Sequence, residues 1–479
     1  MPVESLPRAA VRIPWWVTAA DVLCIVLVAL ILRSLAGDGY RISIGPDHYI
    51  SLRSWERLAL WLAGLLAIRH YVWRAAPWHT RVAGWIRTLA SKPPLRAAWP
   101  AFALSRGLVL IAAYVAVVSI GFRQPHTISS VNEFVDLYAR FDGGWYFGIA
   151  DDGYEDAGSF DPSVQNSIAF FPALPLLMRA AAVILDVNLW TGGVVVVTVA
   201  FLLGLVYLYR LARLDLPDEE ARASLMLLAL YPFGMCYSAV LTESVFLLAA
   251  AATFFYFRRA QYWKAAPFAL LLGLLRPNGF LISLPLGLLA VLPLARSRGW
   301  LSGSHSGEVP SLSRLTKPML IAALPVVGML CYAAYVQSLT GDPFAFVKAQ
   351  QAWGRGKAEI VNVVDDRSNL IAAEGLATYV RSFPIEVLES VTALFALAAV
   401  VPIVLRFGLA YGLFVGMAVL PPFITMGSIS LGRYTAPLFP IFLWLGAAVP
   451  PSRRTYWLIA FAFGQALLST LFFTSRPPY

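Results

Sequence analysis

Asp142, Glu243, Arg276 and Arg433 are ionisable residues set at the edges of long apolar runs. Charge beside lipid is costly, so such positions are the first place to look for chemistry. Asp142 lies in RFDGGWYFGIADDGY, residues 140–154, with Asp151, Asp152, Phe141, Trp145, Tyr146, Phe147 and Tyr154. A carboxylate at a low-dielectric boundary is suited to take a proton from an attacking hydroxyl. Gly143 and Gly144 would let a substrate approach the backbone. Asp-Gly-Gly is also an ordinary turn, and Asp is a good N-cap for a helix starting at Gly143. Local sequence favours the cap, and full capping would compete with catalysis.

The other candidates carry similar alternatives. Trp145, Tyr146 and Phe147 either anchor a short helix at the membrane interface or line a sugar or lipid-chain site. Asp151 and Asp152 read as helix-end and loop charges, with Asp152 the reserve acid. Glu243, in LTES, is either a functional carboxylate or a hydrogen-bonded turn residue. Arg276 and Arg433 either grip a phosphate with a bidentate fork or snorkel to headgroups. Arg433, in LGRYTAPLFP, is the better phosphate contact. Lys348, Arg355 and Lys357 are further cationic candidates, for which ordinary solvation is the simpler reading.

The elements that position these residues follow from composition. Apolar residues make up 59% of the 479 and charged residues 13%. Soluble domains run near roughly 45–50% and about 25%. The surplus must face lipid, which predicts an all-α polytopic membrane protein. At about 20 apolar residues per crossing, about thirteen spans are expected. They fall near 15–33, 56–73, 103–122, 190–209, 223–240, 243–257, 264–277, 279–295, 318–337, 384–405, 407–426, 432–449 and 456–473. The formal charge of +10 sits in short loops, which argues for topology and against nucleic acid as a partner. Basic loops at 74–96, 210–222, 258–264, 296–317 and 452–454 are expected in the cytoplasm. Parity then requires 166–187, with Pro172, Pro175 and Arg179, to lie as a helix in the outer interface.

This topology gathers the loop 123–165, the TES turn, the RPNG turn at 276–279, the loop 338–383 and SISLGRY on the outer face. Residues 1–100 form an N-terminal extension, with two spans around an outer β-hairpin near Gly45-Pro46-Asp47. Residues 101–479 form the main domain, with outer loops 123–189 and 338–383. The stretch 297–314 reads as a linker. The cysteines (Cys24, Cys236, Cys331) read as small core residues rather than disulfide or catalytic thiols. The histidines show no metal-ligand spacing, and no metal or cofactor is expected. The initial apolar run, Trp15 to Leu32, is longer than a signal-peptide core, so it reads as an uncleaved span.

RFDGGWYFGIADDGY followed by AFFPALPLLMR resembles the signature of the PIG-V-type mannosyltransferases. YPFGMCYSAVLTESVFLL, LLRPNGF, GDPFAFVKAQQAWGR and GRYTAPLFPIF resemble that family's later motifs, in the same order over roughly 103–449. Phe141 stands where Trp is usual, and Val240-Leu241 precedes the Thr-Glu-Ser turn in place of the family's pattern. The resemblance implies the GT-C glycosyltransferase fold. It implies transfer of a hexose, typically mannose, from a polyprenyl-phosphate sugar to an acceptor hydroxyl on the outer face, inverting and metal-independent. Asp142 and Glu243 would be catalytic. Arg433 and Arg276 would hold the donor phosphate. Arg140, Trp145, Tyr146, Asp152, Tyr154, Asn278, Lys348, Gln351, Trp353 and Tyr434 would bind substrate. The acceptor would be a glycolipid, protein or glycan. The expected location is a bacterial inner membrane with the site toward the periplasm, or the endoplasmic reticulum in a eukaryote.

Other classes share some of these features. A lipid or sugar transporter would place ionisable groups on broken helices near the midplane, in repeated halves. Here the acids cluster in one loop and no halves correspond, although the RPNG break suits a transporter. A lipid-diphosphate-dependent polymerase or ligase would share the topology and differ in donor.

Overall fold

The structure, a computed structural model, describes residues 13–36, 40–43, 49–52, 54–121, 137–138, 140–154, 160–297, 312–353, 368–426 and 430–474. The described residues are overwhelmingly helical. Lipid offers no hydrogen bonds to a bare backbone, so an apolar chain satisfies its amides within helices. Among the described residues, five helices are long and apolar enough to cross a membrane: Pro93–Ile120, Leu189–Ala212, Leu315–Thr340, Pro384–Phe407 and Pro451–Phe473. Their outward surfaces are apolar, with Ile111, Val118, Val401 and Leu405 among the most exposed hydrophobic side chains.

Every expected span coincides with helix, but not every one is a single helix of spanning length. The run 223–240 is a helix, Asp218–Ala229, followed by a 3-10 segment, Pro232–Tyr237. The run 432–449 is a short helix, Leu431–Thr435, then a second one, Phe439–Ala448. Proline is the cause in both, since Pro232 and Pro437 supply no N–H to the preceding turn. Hydropathy counts both runs as continuous because proline scarcely changes it. Residues 264–295 break at RPNG into Tyr262–Leu275, the 3-10 turn Pro277–Ile282 and Ser283–Ser297. The Tyr262–Leu275 helix, 14 residues, extends only about 21 Å.

The segment expected at the interface is a 3-10 turn, Ser167–Ala169, and a helix, Ala173–Leu185. At 13 residues it is too short to cross, about 20 Å. Leu174, Met178 and Ala182, four apart, are buried, whereas Leu176, Val183 and Ile184 are exposed. Asp186, in the left-handed region, stops it.

Contacts divide the chain into Met1–Arg96 and Ala97–Tyr479. In the first unit, strands Tyr40–Ser43 and Tyr49–Leu52 pair antiparallel, Tyr40 opposite Leu52, between helices Trp15–Ala36 and Trp55–Val72. This is the expected hairpin; its turn lies outside the described residues. Asp21, buried in the first helix, accepts from Arg69 at 2.8 Å and from Arg81. Cys24 and Cys236 are buried as expected, but Cys331 is exposed, on the outward face of the Leu312–Thr340 helix. The linker 297–314 falls almost wholly outside the described residues.

The second unit is built around the Glu243–Arg258 helix. Ala249, Ala250, Ala251 and Ala252 are all fully buried, so neighbours close in on every side of it. Small side chains permit such approach where lipid supplies no hydrophobic drive for helix association. The Tyr262–Leu275 and Leu312–Thr340 helices meet at Gly273 and Gly328, and a Cβ on Gly273 would overlap the Pro325 carbonyl. Gly273→Leu should therefore lower stability by about 1–3 kcal/mol. Gly107, with open space around it, is the control, and its alanine variant should melt with the parent in detergent.

Candidate active site

All the site residues belong to the second unit. The loop before the Gly143–Asp151 helix is held by its backbone: Val240 N–H donates to the Tyr138 carbonyl at 3.2 Å, which joins the loop to the TES turn. Phe141 sits in the left-handed region, φ 49°, with its ring against Phe472. A bulky residue there carries strain, which the surrounding packing must hold. Asp142 follows at the N-cap position.

The N-cap reading of Asp142 does not hold. Its backbone is helical, φ −57° and ψ −16°, and its side chain makes no capping hydrogen bond. The carboxylate instead accepts from Arg433 Nη1 at 2.5 Å. Arg433 Nε donates to Glu243 Oε1 at 2.6 Å. The same Oε1 accepts from Arg276 Nη2 at 2.9 Å, and Arg276 Nη2 also donates to Thr242 Oγ1 at 2.6 Å. The result is a chain of charges, Asp142–Arg433–Glu243–Arg276. A cap is worth about 1 kcal/mol, whereas a buried guanidinium left without its anion costs several. The longer-range partner wins.

Each arm comes from a break in a helix. Glu243 opens the Glu243–Arg258 helix. Arg276 is extended, between Leu275 and the 3-10 turn, φ −162° and ψ 157°. Its guanidinium lies 4.6 Å from the Phe246 ring centroid and 5.9 Å from that of Tyr434. Arg433 belongs to the short Leu431–Thr435 helix. Burial is graded: Glu243 is 1% exposed, Arg276 7% and Arg433 9%, whereas the Asp142 side chain is 29% exposed. Both arginines are enclosed, so the snorkelling reading fails for them. Among the described residues, Glu243 Oε2 and Arg276 Nε are buried without a hydrogen-bond partner.

The cluster floors a pocket with about 70 Å³ of free space, also lined by Tyr146, Phe170, Thr242, Gln350, Trp353, Ser430 and Tyr434. Burial pushes the Tyr146 phenol up, so it stays neutral beside the charges. Trp145 stacks on Phe170, centroids 5.5 Å apart, and Trp353 meets both edge-on at 5.8 and 5.6 Å. Gln350 Nε2 donates to the Ala169 carbonyl at 3.3 Å. The Tyr154 and Tyr332 hydroxyls donate to the Phe170 carbonyl at 2.8 and 3.1 Å and hold that wall in place.

Of the residues singled out in the sequence, Asp142, Glu243, Arg276, Arg433, Tyr146, Trp353 and Tyr434 line this pocket. Trp145 packs behind Phe170, and Tyr154 braces the wall from outside. Arg140 is buried elsewhere, its Nε donating to the Phe473 carbonyl at 3.2 Å. Asp152 is an exposed helix end. Asn278 lines a separate small cavity with Phe246 and Phe414. Lys348 is exposed and paired with Asp342 at 2.6 Å. Gln351 is exposed and Gln350 faces the pocket, because the 3-10 phase of Ala349–Trp353 selects between them. Arg355 and Lys357 lie outside the described residues. Gln350, Thr242, Phe170 and Ser430 were not singled out. Their motifs, QQAWGR, LTES, FFP and SLGRY, were the available signal. Among the described residues no group of three or more His, Cys, Asp or Glu could hold a metal ion.

No protein-family model matches the chain, and no curated protein matches it. Among solved structures the chain is similar to an Archaeoglobus fulgidus oligosaccharyltransferase. The apo form aligns at 14% identity and TM-score 0.42, over 78% of this chain and 56% of that one. The same organism's AglB, with an inhibitory peptide and a dolichol-phosphate, aligns at 12% identity and TM-score 0.40, over 78% and 56%. The complex with Zn and sulfate aligns at 16% and 0.39, over 78% and 53%. The chain thus spans little more than half the length of the structures it matches.

Proposed function

We propose that this chain is an integral-membrane glycosyltransferase of the GT-C type, resembling the PIG-V mannosyltransferases. It would move a hexose, mannose first among the candidates, from a polyprenyl-phosphate sugar to an acceptor hydroxyl on the outer side of the membrane. The observation that carries this reading is the Asp142–Arg433–Glu243–Arg276 chain in one pocket. A lipid-phosphate donor needs guanidiniums at its phosphate and a carboxylate near the attacking hydroxyl. The pocket holds both, and Asp142 is the most exposed member of the chain.

The reaction follows from these positions. The donor phosphate enters beside Arg433 and Arg276, and Arg433 exchanges the Asp142 carboxylate for a phosphate oxygen. Asp142, released, accepts the proton of the acceptor hydroxyl. That oxygen bonds to the anomeric carbon from the face opposite the phosphate, and the carbon–oxygen bond to phosphate breaks with inversion. The electron pair goes to the lipid phosphate, whose charge rises toward about −1.5 to −2. Guanidiniums fixed before the reaction stabilise that growing charge. Glu243, bonded to both arginines through one oxygen, orients them rather than exchanging protons. The two arginines supply cationic charge at the leaving group, so the reaction is proposed to need no metal.

Phe170 and Trp353, backed by Trp145, offer apolar faces at the pocket wall for a sugar ring. Trp353→Ala should raise KM for the sugar substrate about fivefold, the equivalent of about 1 kcal/mol. Trp353→Phe should lie near the parent, and steady-state kinetics reads the difference.

The direct test supplies polyprenyl-phosphate [14C]mannose to the purified protein in vesicles made from the host's own membrane lipids and glycans. Label in a new glycosidic product supports the proposal. Label that crosses the vesicle without changing its chemical form would make the chain a transporter. Transfer only from a lipid diphosphate would make it a polymerase or ligase.

A further inference from the structure

Glu389 is an ionisable residue that the proposed chemistry does not use. It lies five positions into the Pro384–Phe407 helix, roughly 8 Å along the axis, and is 1% exposed. An acid so enclosed in a spanning helix is costly, which makes it a functional candidate by default. Its Oε2 accepts the Leu431 N–H at 3.3 Å, while Oε1 has no hydrogen-bond partner among the described residues. Leu431 opens the five-residue helix that carries Arg433.

That short helix is awkward to form. Ser430, just before it, is in the left-handed region, φ 61°, and offers no side-chain cap. A serine there is disfavoured unless its surroundings hold it. The far end is already clamped: the Tyr231 hydroxyl bonds Thr435 Oγ1 at 2.7 Å, and the Tyr237 hydroxyl donates to the Ala436 carbonyl at 2.5 Å. In the middle, Gly432 lies against the Phe233 ring, with no room for a Cβ. The near end rests on Glu389.

We propose that Glu389 is a positioning residue for Arg433: its buried carboxyl group holds the Ser430–Leu431 turn that aims the phosphate-binding guanidinium. The inference rests on the donor reading given above, since it concerns how well Arg433 meets a phosphate. Glu389 touches no substrate; it acts through two residues of backbone.

The test measures binding of farnesyl phosphate to the purified full-length protein in detergent, followed by tryptophan fluorescence, Trp353 being in the pocket wall. Glu389→Met removes the hydrogen-bond acceptor while keeping the length, and suits a spanning helix. Glu389→Leu is a second acceptor-free variant, and both are checked for monodispersity. Loss of this buried hydrogen bond predicts binding weaker by about five- to tenfold in these variants. Glu389→Gln keeps an acceptor oxygen and should bind within about threefold of the parent. In an Arg433→Ala background, Glu389→Met should cause no further loss, because the effect runs through Arg433. Parent-like binding by the acceptor-free variants overturns the inference. So does an equal loss in Glu389→Gln, or a loss that persists without Arg433. A parent protein that does not bind farnesyl phosphate defeats the donor reading first, and this inference with it.

Discussion

Asp142→Asn should abolish glycosyl transfer, by roughly 10²–10⁴-fold, while leaving donor binding intact. The amide keeps an oxygen for Arg433 Nη1, so the geometry at 2.5 Å can persist. What disappears is the capacity to hold the acceptor's proton. Donor affinity should hold steady or tighten, because the phosphate no longer competes with a carboxylate for Arg433. Asp152→Asn is the natural control: Asp152 is an exposed helix end away from the pocket, and its variant should keep the parent rate. Rates of labelled transfer at saturating donor, with the donor Kd from fluorescence titration, separate the two effects. Transfer within tenfold of the parent in Asp142→Asn would remove Asp142 from the chemistry.

The second large effect concerns stability. Glu243→Ala should cost about 3–5 kcal/mol, the price of breaking a buried ion network from one side. Glu243 is 1% exposed, and its Oε1 serves Arg276 at 2.9 Å and Arg433 at 2.6 Å. Without it Arg433 still has Asp142, but Arg276 loses its carboxylate and retains the Thr242 hydroxyl. Melting in detergent reads the loss. Glu243→Ala combined with Arg276→Met should recover part of it, since the second change removes a now-uncompensated charge. Inorganic phosphate should raise the melting temperature of Glu243→Ala more than that of the parent, because the pocket has gained net positive charge. A Glu243→Ala protein that melts with the parent would show that the network carries little of the fold's stability.

Glu389 and Glu243 are buried acids of different use. Glu243 faces guanidiniums and its loss exposes charge to charge. Glu389 faces a backbone amide and its loss frees a turn. The first should therefore appear mainly in melting temperature, and the second in phosphate affinity.

Much of the frame was legible in the sequence. Runs of apolar residues require helices because lipid leaves the backbone no other partner. Pro172 and Pro175, with the parity of basic loops, pointed to a non-crossing segment, and Ala173–Leu185 is a helix too short to cross. The alternation around Gly45-Pro46-Asp47 pointed to a hairpin, and the strands pair there. Motif order also drew attention to Asp142, Glu243, Arg276 and Arg433. Other features resisted the same reading. Proline breaks inside apolar runs left 223–240 and 432–449 in pieces, because hydropathy averages over a window and backbone hydrogen bonding does not. Lys348 and Gln351 look like ligands by type, but helical phase turns both outward.

The sequence by itself determined that the chain is a bundle of membrane helices, and where its costly charges stand, because burial of polar groups in lipid is a rule that acts residue by residue. Only the tertiary structure decided which charges meet. Arg433 reaches Asp142 across 291 positions and Glu243 across 190. No local preference encodes such a meeting, and at Asp142 the local preference, a helix cap, pointed elsewhere. The pairing arises when separate helix breaks pack together and each buried charge must find its opposite.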